Sequence, residues 1–196
     1  MKNILKTFLA VSVLTLSSCG MDSLVPKNLN DADDIAVIKA TVEEKLGADK
    51  MVNKLTLRAD DYLSSQFERA QITYMRNGKE YSQDYFLKVV NDPKKSMFQR
   101  NLHDGAIKIS EFNFEQIPPS FNKAVEIINA ETDEYHEFVL YEWEFVVDKN
   151  NEVTSTFTLN GTKKSEGSHM EGKSIVTNYY EFKFTSDKDG NLQLKM

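Results

Sequence analysis

The stretch that most restricts the fold is a pair of alternating runs in the C-terminal half. Val139, Tyr141, Trp143, Phe145 and Val147 occupy every second position, with Glu142 and Glu144 between them. After polar residues 149–151 the pattern resumes as Val153, Ser155, Phe157 and Leu159, interleaved with Thr154, Thr156 and Thr158. Side chains alternate across a strand, so each run offers one apolar and one polar face, and a short break between such runs predicts a hairpin. A hairpin of this kind commits the chain to an antiparallel sheet with one face covered and the other polar.

The cover is helical. Ile35, Ile38, Val42 and Leu46 recur at spacings of three and four, which predicts a helix with one apolar stripe. Asp31, Asp33 and Asp34 stand at its positive end and Gly47 at its stop. A second helix is expected after Pro118-Pro119-Ser120, with Ser120 as its cap and Phe121, Ala124, Val125 and Ile128 on one face. Strands are expected at Leu55, Leu57 and Ala59; at Ile72 and Tyr74; as a return through Tyr81, Tyr85, Leu87 and Val89; and at Ile107 and Ile109. Val176, Tyr180, Phe182 and Phe184 make another, and Asp189-Gly190 turns into Leu192 and Leu194. Asn-Gly marks two-residue hairpins because both residues tolerate positive φ, so Asn77-Gly78 and Asn160-Gly161 both predict turns.

Each half thus reads as a helix followed by about four strands, at nearly equal offsets. The expected fold is α+β: two helix-plus-antiparallel-meander units in tandem, 34–117 and 118–196, each helix packed on one face of a curved sheet. A single α+β domain with two helices is the alternative. The plan loosely resembles tandem PepSY-type domains and β-lactamase-inhibitor-like proteins, in order of elements only and with no diagnostic motif. That resemblance implies a sheet face left free to bind something, and fold alone does not give function.

The N-terminus carries an address. Lys2 and Lys6 precede an apolar stretch over residues 7–16, which as a helix would rise ~15 Å against a hydrocarbon core of ~30 Å. That pattern is a secretory signal rather than a span. Leu16-Ser17-Ser18-Cys19-Gly20 then resembles the lipobox of bacterial lipoproteins. The resemblance implies that residues 1–18 are a signal peptide and that Cys19 becomes the acylated first residue, with the lipid bilayer as its partner. Cys19 is the only cysteine, so its acylation leaves no thiol for a disulfide, a thiolate ligand or nucleophilic chemistry. Gly20 after the cysteine looks like the outer-membrane class of sorting signal. Gly20-Met21-Asp22-Ser23 departs from the acidic run of surface-exported lipoproteins, so a periplasm-facing position is expected, with surface exposure as the alternative. Asp22-Ser23-Leu24 resembles a short O-glycosylation sequon. Polar residues 19–33 read as a flexible tether, reaching ~45–50 Å if extended.

Chemistry is sparse. Losing Lys2 and Lys6 with the leader takes the formal charge from −6 to −8, which argues against nucleic acid or anionic lipid head groups as partners. His103, His136 and His169 have no ligand spacing between them. His169-Met170 could serve as a haem-ligand pair, but an exposed hairpin loop is the plainer reading. Asp187-Lys188-Asp189-Gly190-Asn191 begins like a calcium loop, lacks the distal Glu, and is expected to be a turn. Glu137, Glu142 and Glu144 could do acid–base work if their environments differed, and otherwise form a solvated face. Neither a nucleophile elbow nor a phosphate-cradling Gly-rich loop occurs. No catalytic residue, metal site or cofactor is therefore assigned, and the ligand-binding residues stay open. The aromatics Tyr141, Trp143, Phe145, Tyr179, Tyr180 and Phe182 read mainly as core. The adjacent Tyr179 and Tyr180 must point to opposite faces, so one could belong to an exposed aromatic surface. The expectation is a non-enzymatic binding or inhibitor-like envelope lipoprotein with a protein partner. A structural subunit of an envelope complex and a hydrolase with an unrecognised site are the alternatives.

Overall fold

The computed structural model describes residues 26–97 and 105–195. The leader, Cys19, Asp22-Ser23-Leu24 and His103 lie outside the described residues.

Helix α1 spans Ala32–Leu46 and buries Ile35, Ile38, Val42 and Leu46, the stripe expected from spacing. The Asp31 carboxylate accepts the backbone N–H groups of Asp33 and Asp34, satisfying donors that the first turn leaves free. Gly47 ends the helix at φ 95°, in the left-handed region that favours glycine. The packed structure begins before the helix. Leu29 is fully buried, Asn28 bridges Gln66, and Lys27 pairs with Asp34 at 3.2 Å. Residues 28–33, expected to be tether, are therefore part of the fold.

Helix α2 spans Ile117–Glu131 and buries Ile117, Pro118, Phe121, Ala124 and Ile128. Ser120 is not its cap. A 3-10 turn at Phe114–Gln116 runs straight into the helix, and both prolines sit within the first turn, where no N–H donor is needed.

The strands are β1 (Met51–Val52), β2 (Lys54–Ala59), β3 (Phe67–Arg76), β4 (Lys79–Phe86), β5 (Val89–Val90), β6 (Lys94–Lys95) and β7 (Ile107–Lys108). There follow β8 (Tyr135–Val147), β9 (Val153–Lys163), β10 (His169–Glu171), β11 (Ser174–Val176), β12 (Tyr180–Ser186) and β13 (Leu192–Lys195). One sheet runs β13-β12-β9-β8-β2-β3-β4-β5, with β6 also on β4; β1–β7 and β10–β11 are separate two-stranded ladders. All pairings are antiparallel. The fold is thus mixed α and β, dominated by antiparallel sheet. The two meanders meet at β2–β8, where Leu55 faces Phe145 and Leu57 faces Trp143.

Three turn and strand expectations resolve differently. Asn77 and Gly78, at φ 53° and 69°, make the expected β3–β4 hairpin turn. Asn160 and Gly161 make no turn, because both lie inside β9. The return strand expected through Leu87 breaks there: Leu87 and Lys88 take φ 49° and 65°, and Val89–Val90 folds back onto β4. Ile109 belongs to a 3-10 turn, not a strand.

Buried residues of both helices and of the inward face of the sheet form one apolar cluster. Trp143 stacks on Phe157 at 4.5 Å, Phe157 on Phe184 at 5.5 Å, and Phe112 and Phe114 cover Phe145. Among the described residues no helix is long and apolar enough to cross a membrane.

Candidate binding surface

Strand alternation leaves the other face of the sheet polar. Across its middle run Thr156 and Thr158 of β9, Glu142 and Glu144 of β8, Thr56 and Arg58 of β2, and Arg69 and Gln71 of β3, in register. Arg58 Nε donates to Glu142 at 2.7 Å. Lys54 pairs with Glu144 at 2.9 Å, and Arg69 with Asp84 at 3.1 Å. The Glu142 and Glu144 carboxylates are therefore engaged by cations on the neighbouring strand, and Glu137 accepts from the Thr162 hydroxyl at 3.0 Å. This is the solvated-face arrangement, in which each acid has its own partner.

One end of this face is aromatic, and the reason lies in β8. Leu140 and Trp143 are both fully buried although three positions apart, which regular alternation forbids. The register shifts between Leu140 and Glu142, so Tyr141 is an extra residue in the strand. The bulge puts the half-buried Tyr141 on the face of Glu142 and Arg58, correcting its expected place on the Trp143 face. Its ring stacks on Tyr62 at 4.7 Å, and Tyr62 stacks on Tyr179 at 5.0 Å. Arg58 lies over the Tyr141 ring at 5.7 Å. Tyr62 is 47% exposed and Tyr179 38%.

Tyr62 comes from the loop between β2 and β3, which the sheet fixes at two points. Ser65 Oγ accepts the Leu140 N–H at 2.8 Å, and Asn160 Nδ2 donates to the Tyr62 carbonyl at 2.7 Å. Burial and the Tyr62 hydroxyl beside it raise the Tyr141 phenol above its ordinary range, and burial does the same for Tyr179. At neutral pH the Tyr141 and Tyr179 hydroxyls therefore stay protonated, able both to donate and to accept. The ring faces are largely taken up against one another, so edges and hydroxyls are what a partner would meet.

Tyr179 and Tyr180 do take opposite faces. Tyr180 donates to Glu166 at 2.7 Å and packs against Tyr135 on the other side of the sheet. Tyr62 and Arg58 were not singled out from sequence; the available signal was a lone aromatic in the polar loop Asp60-Asp61-Tyr62-Leu63-Ser64-Ser65. His136 lies half-buried at the start of β8 and His169 exposed in β10. No group of three His, Cys, Asp or Glu side chains among the described residues could hold a metal. The Asp187 carboxylate is engaged within its own turn, accepting from Asn191 Nδ2 at 2.9 Å and from the Asp189 and Asn191 backbone.

No protein family matches the chain, and no curated protein matches its sequence. It is similar to a solved structure of a candidate lipoprotein from Clostridium difficile 630, at 14% identity and a TM-score of 0.39, covering 86% of this chain and 94% of that one. A likeness at that score says nothing of function.

Proposed function

We propose that this chain is a lipid-anchored protein of the bacterial envelope that binds a protein partner, without catalysis, through the polar face of its sheet. The observation that carries the binding half is the Tyr62–Tyr141–Tyr179 stack, held out to solvent by a bulge in β8 and two clamps on its loop. Tyrosine is favoured at such surfaces because it offers large rigid area with little entropy to lose on binding. The anchoring half rests on the leader and on Leu16-Ser17-Ser18-Cys19-Gly20, and Gly20 favours an outer-membrane position facing the periplasm. We also read the halves as tandem units. The seam supports that reading: β2 opens one four-strand meander and β8 the other, and the two pair antiparallel, as a pseudo-two-fold repetition would arrange them.

The test has two arms. Intact-mass measurement of the membrane-extracted mature protein reads the acylation of Cys19. Capture from envelope extract is then compared between the native chain, Tyr62→Ala and Tyr135→Ala. A protein held by the native chain and Tyr135→Ala but lost with Tyr62→Ala supports the reading. A partner indifferent to Tyr62→Ala places binding elsewhere on the molecule.

A further inference from the structure

The two ends of the sheet are built from different residues. At one end the chain turns at Asn77-Gly78, at 148–152 and at 187–191, segments made mainly of Asn, Asp, Lys and Gly. At the other end lie the polar loop 60–66, the Leu87–Lys88 turn and the excursion 164–179, in which Lys164, Glu166, Glu171 and Lys173 surround the β10–β11 hairpin. In that hairpin Met170 pairs directly with Ile175, and the two are 65% and 74% exposed. Leu87 is 63% exposed, with Val89 beside it. Apolar side chains scattered singly are ordinary on a protein surface, so these three matter only because they stand at the end where the chain enters. Met51 and Met97 are the exposed apolar residues nearer the polar end.

The chain enters at this second end, apolar mainly in its exposed Met170, Ile175 and Leu87. The Leu29 N–H donates to the Ser65 carbonyl and the Phe67 N–H to the Lys27 carbonyl, so the N-terminal segment is fixed beside loop 60–66. From Cys19 to Pro26 the chain can span at most ~25 Å. The thirteen residues of β8 alone cover ~43 Å. A lipid on Cys19 would therefore keep the apolar end within ~25 Å of the bilayer, and turning the polar end toward the membrane would need a longer tether.

We infer that the apolar end of the sheet docks on the bilayer surface, with Met170 and Ile175 of the β10–β11 hairpin and Leu87 of the β4–β5 turn entering the head-group region. The inference rests on the acylation of Cys19 proposed above. It deepens that reading, because the tyrosine stack then stands just above the head groups and meets partners that are themselves held at the membrane.

The experiment uses the full mature chain, acylated and reconstituted into vesicles of the zwitterionic lipids phosphatidylethanolamine and phosphatidylcholine. Because Cys19 is the only native cysteine and its sulfur is blocked by the thioether-linked lipid, Ile175→Cys, Leu87→Cys and Lys149→Cys each accept one bimane label. Nitroxide-bearing lipids then report proximity to the membrane. Loss of most emission at positions 175 and 87, with none at 149, is the expected result. Equal quenching at 175 and 149 would mean that the molecule lies flat, and quenching at 149 alone that it is inverted. Either outcome, or no quenching anywhere with Cys19 shown acylated by mass, overturns the inference. An unacylated Cys19 overturns the anchoring proposal itself and this inference with it.

Discussion

Replacing Asn160 with Asp should convert a clamp on the tyrosine stack into a pH-dependent fault. Asn160 is fully buried in β9, its Nδ2 donates to the Tyr62 carbonyl at 2.7 Å, and its Oδ1 has no partner among the described residues. Aspartate puts an oxygen where the donor was, facing a carbonyl oxygen. With no donor near, the folded state favours the neutral acid, and full burial raises a carboxyl by ~3–5 pH units. The lower figure fits, since Tyr62 is half exposed and water can reach the loop. At 1.36 kcal/mol per unit the cost is ~4 kcal/mol at neutral pH.

The sign follows from linkage. The folded pKa is raised and the unfolded one stays near ~4, so the folded state binds the proton more tightly. Stability is kept below about pH 4, where the protonated acid can donate to Tyr62, and falls as pH rises toward the folded pKa near ~7. Asn160→Ala, which loses the hydrogen bond but also the orphaned Oδ1, should cost only ~1 kcal/mol at any pH, or ~2–4 °C in melting temperature. Urea unfolding of the three proteins across acid to neutral pH, read as differences from the native chain, makes the comparison. An Asn160→Asp penalty that is constant with pH, or absent, would refute the picture of a buried donor clamping the loop.

Three further outcomes concern backbone contacts and a turn. Gly161→Ala places a Cβ 2.8 Å from two ring carbons of Phe138, and should cost ~1–3 kcal/mol in a thermal melt, largely relieved by a second change of Phe138→Leu. Gly105→Ala is harsher, because the Cβ would stand 1.6 Å from the Asp148 carbonyl oxygen and only backbone can move. A loss above ~3 kcal/mol is expected by denaturant titration. The Asn191 side chain, its backbone N–H and that of Asp189 hold the Asp187 carboxyl below its usual range. That contribution is present above about pH 4 and lost as pH falls through the lowered folded value, so Asp187→Asn should flatten the native chain's acid-side loss of melting temperature.

Local signals were read well where one residue type has one use. The Ile35–Ile38–Val42–Leu46 stripe and the Asn77-Gly78 turn needed no knowledge of the rest of the chain. Asn160-Gly161 shows why the same dipeptide can mislead. Gly161 is required because Phe138, from the strand opposite, lies across it, and Asn160 because the Tyr62 carbonyl needs a donor. Both demands come from segments distant in sequence. Tyr141 was placed on the wrong face because an alternating pattern carries no mark of an extra residue. The Leu87 break was hidden for a related reason, since two non-glycine residues adopt positive φ there. Tyr62 enters the site through a loop whose residues read as polar, and its position comes from distant partners, the β8–β9 hairpin and the N-terminal segment at Leu29.

The bulge at Tyr141 ties the site to the core in a way that a deletion can separate. Opposite Leu159 and Thr158 of β9 stand Leu140 and Glu142, so removing Tyr141 would leave no extra residue between them, with only the shift between His136 and Val139 remaining in the ladder. Leu140 and Trp143 would then stand two apart, on one face, as their burial demands. The deletion should therefore fold with a loss of no more than ~2 kcal/mol, from ring stacking and the Arg58 contact. It should also abolish any partner binding that needs the stack. Removing Glu144 instead is the control. It shifts Phe145 and Val147 to the polar face or drags Trp143 and Leu140 out of the core, at ~1.5–3 kcal/mol for each buried side chain. Two or more of these approach the whole stability of a domain this size. Paired unfolding curves decide the matter: if both deletions unfold alike, Tyr141 is part of the core ladder and the site has been drawn in the wrong place.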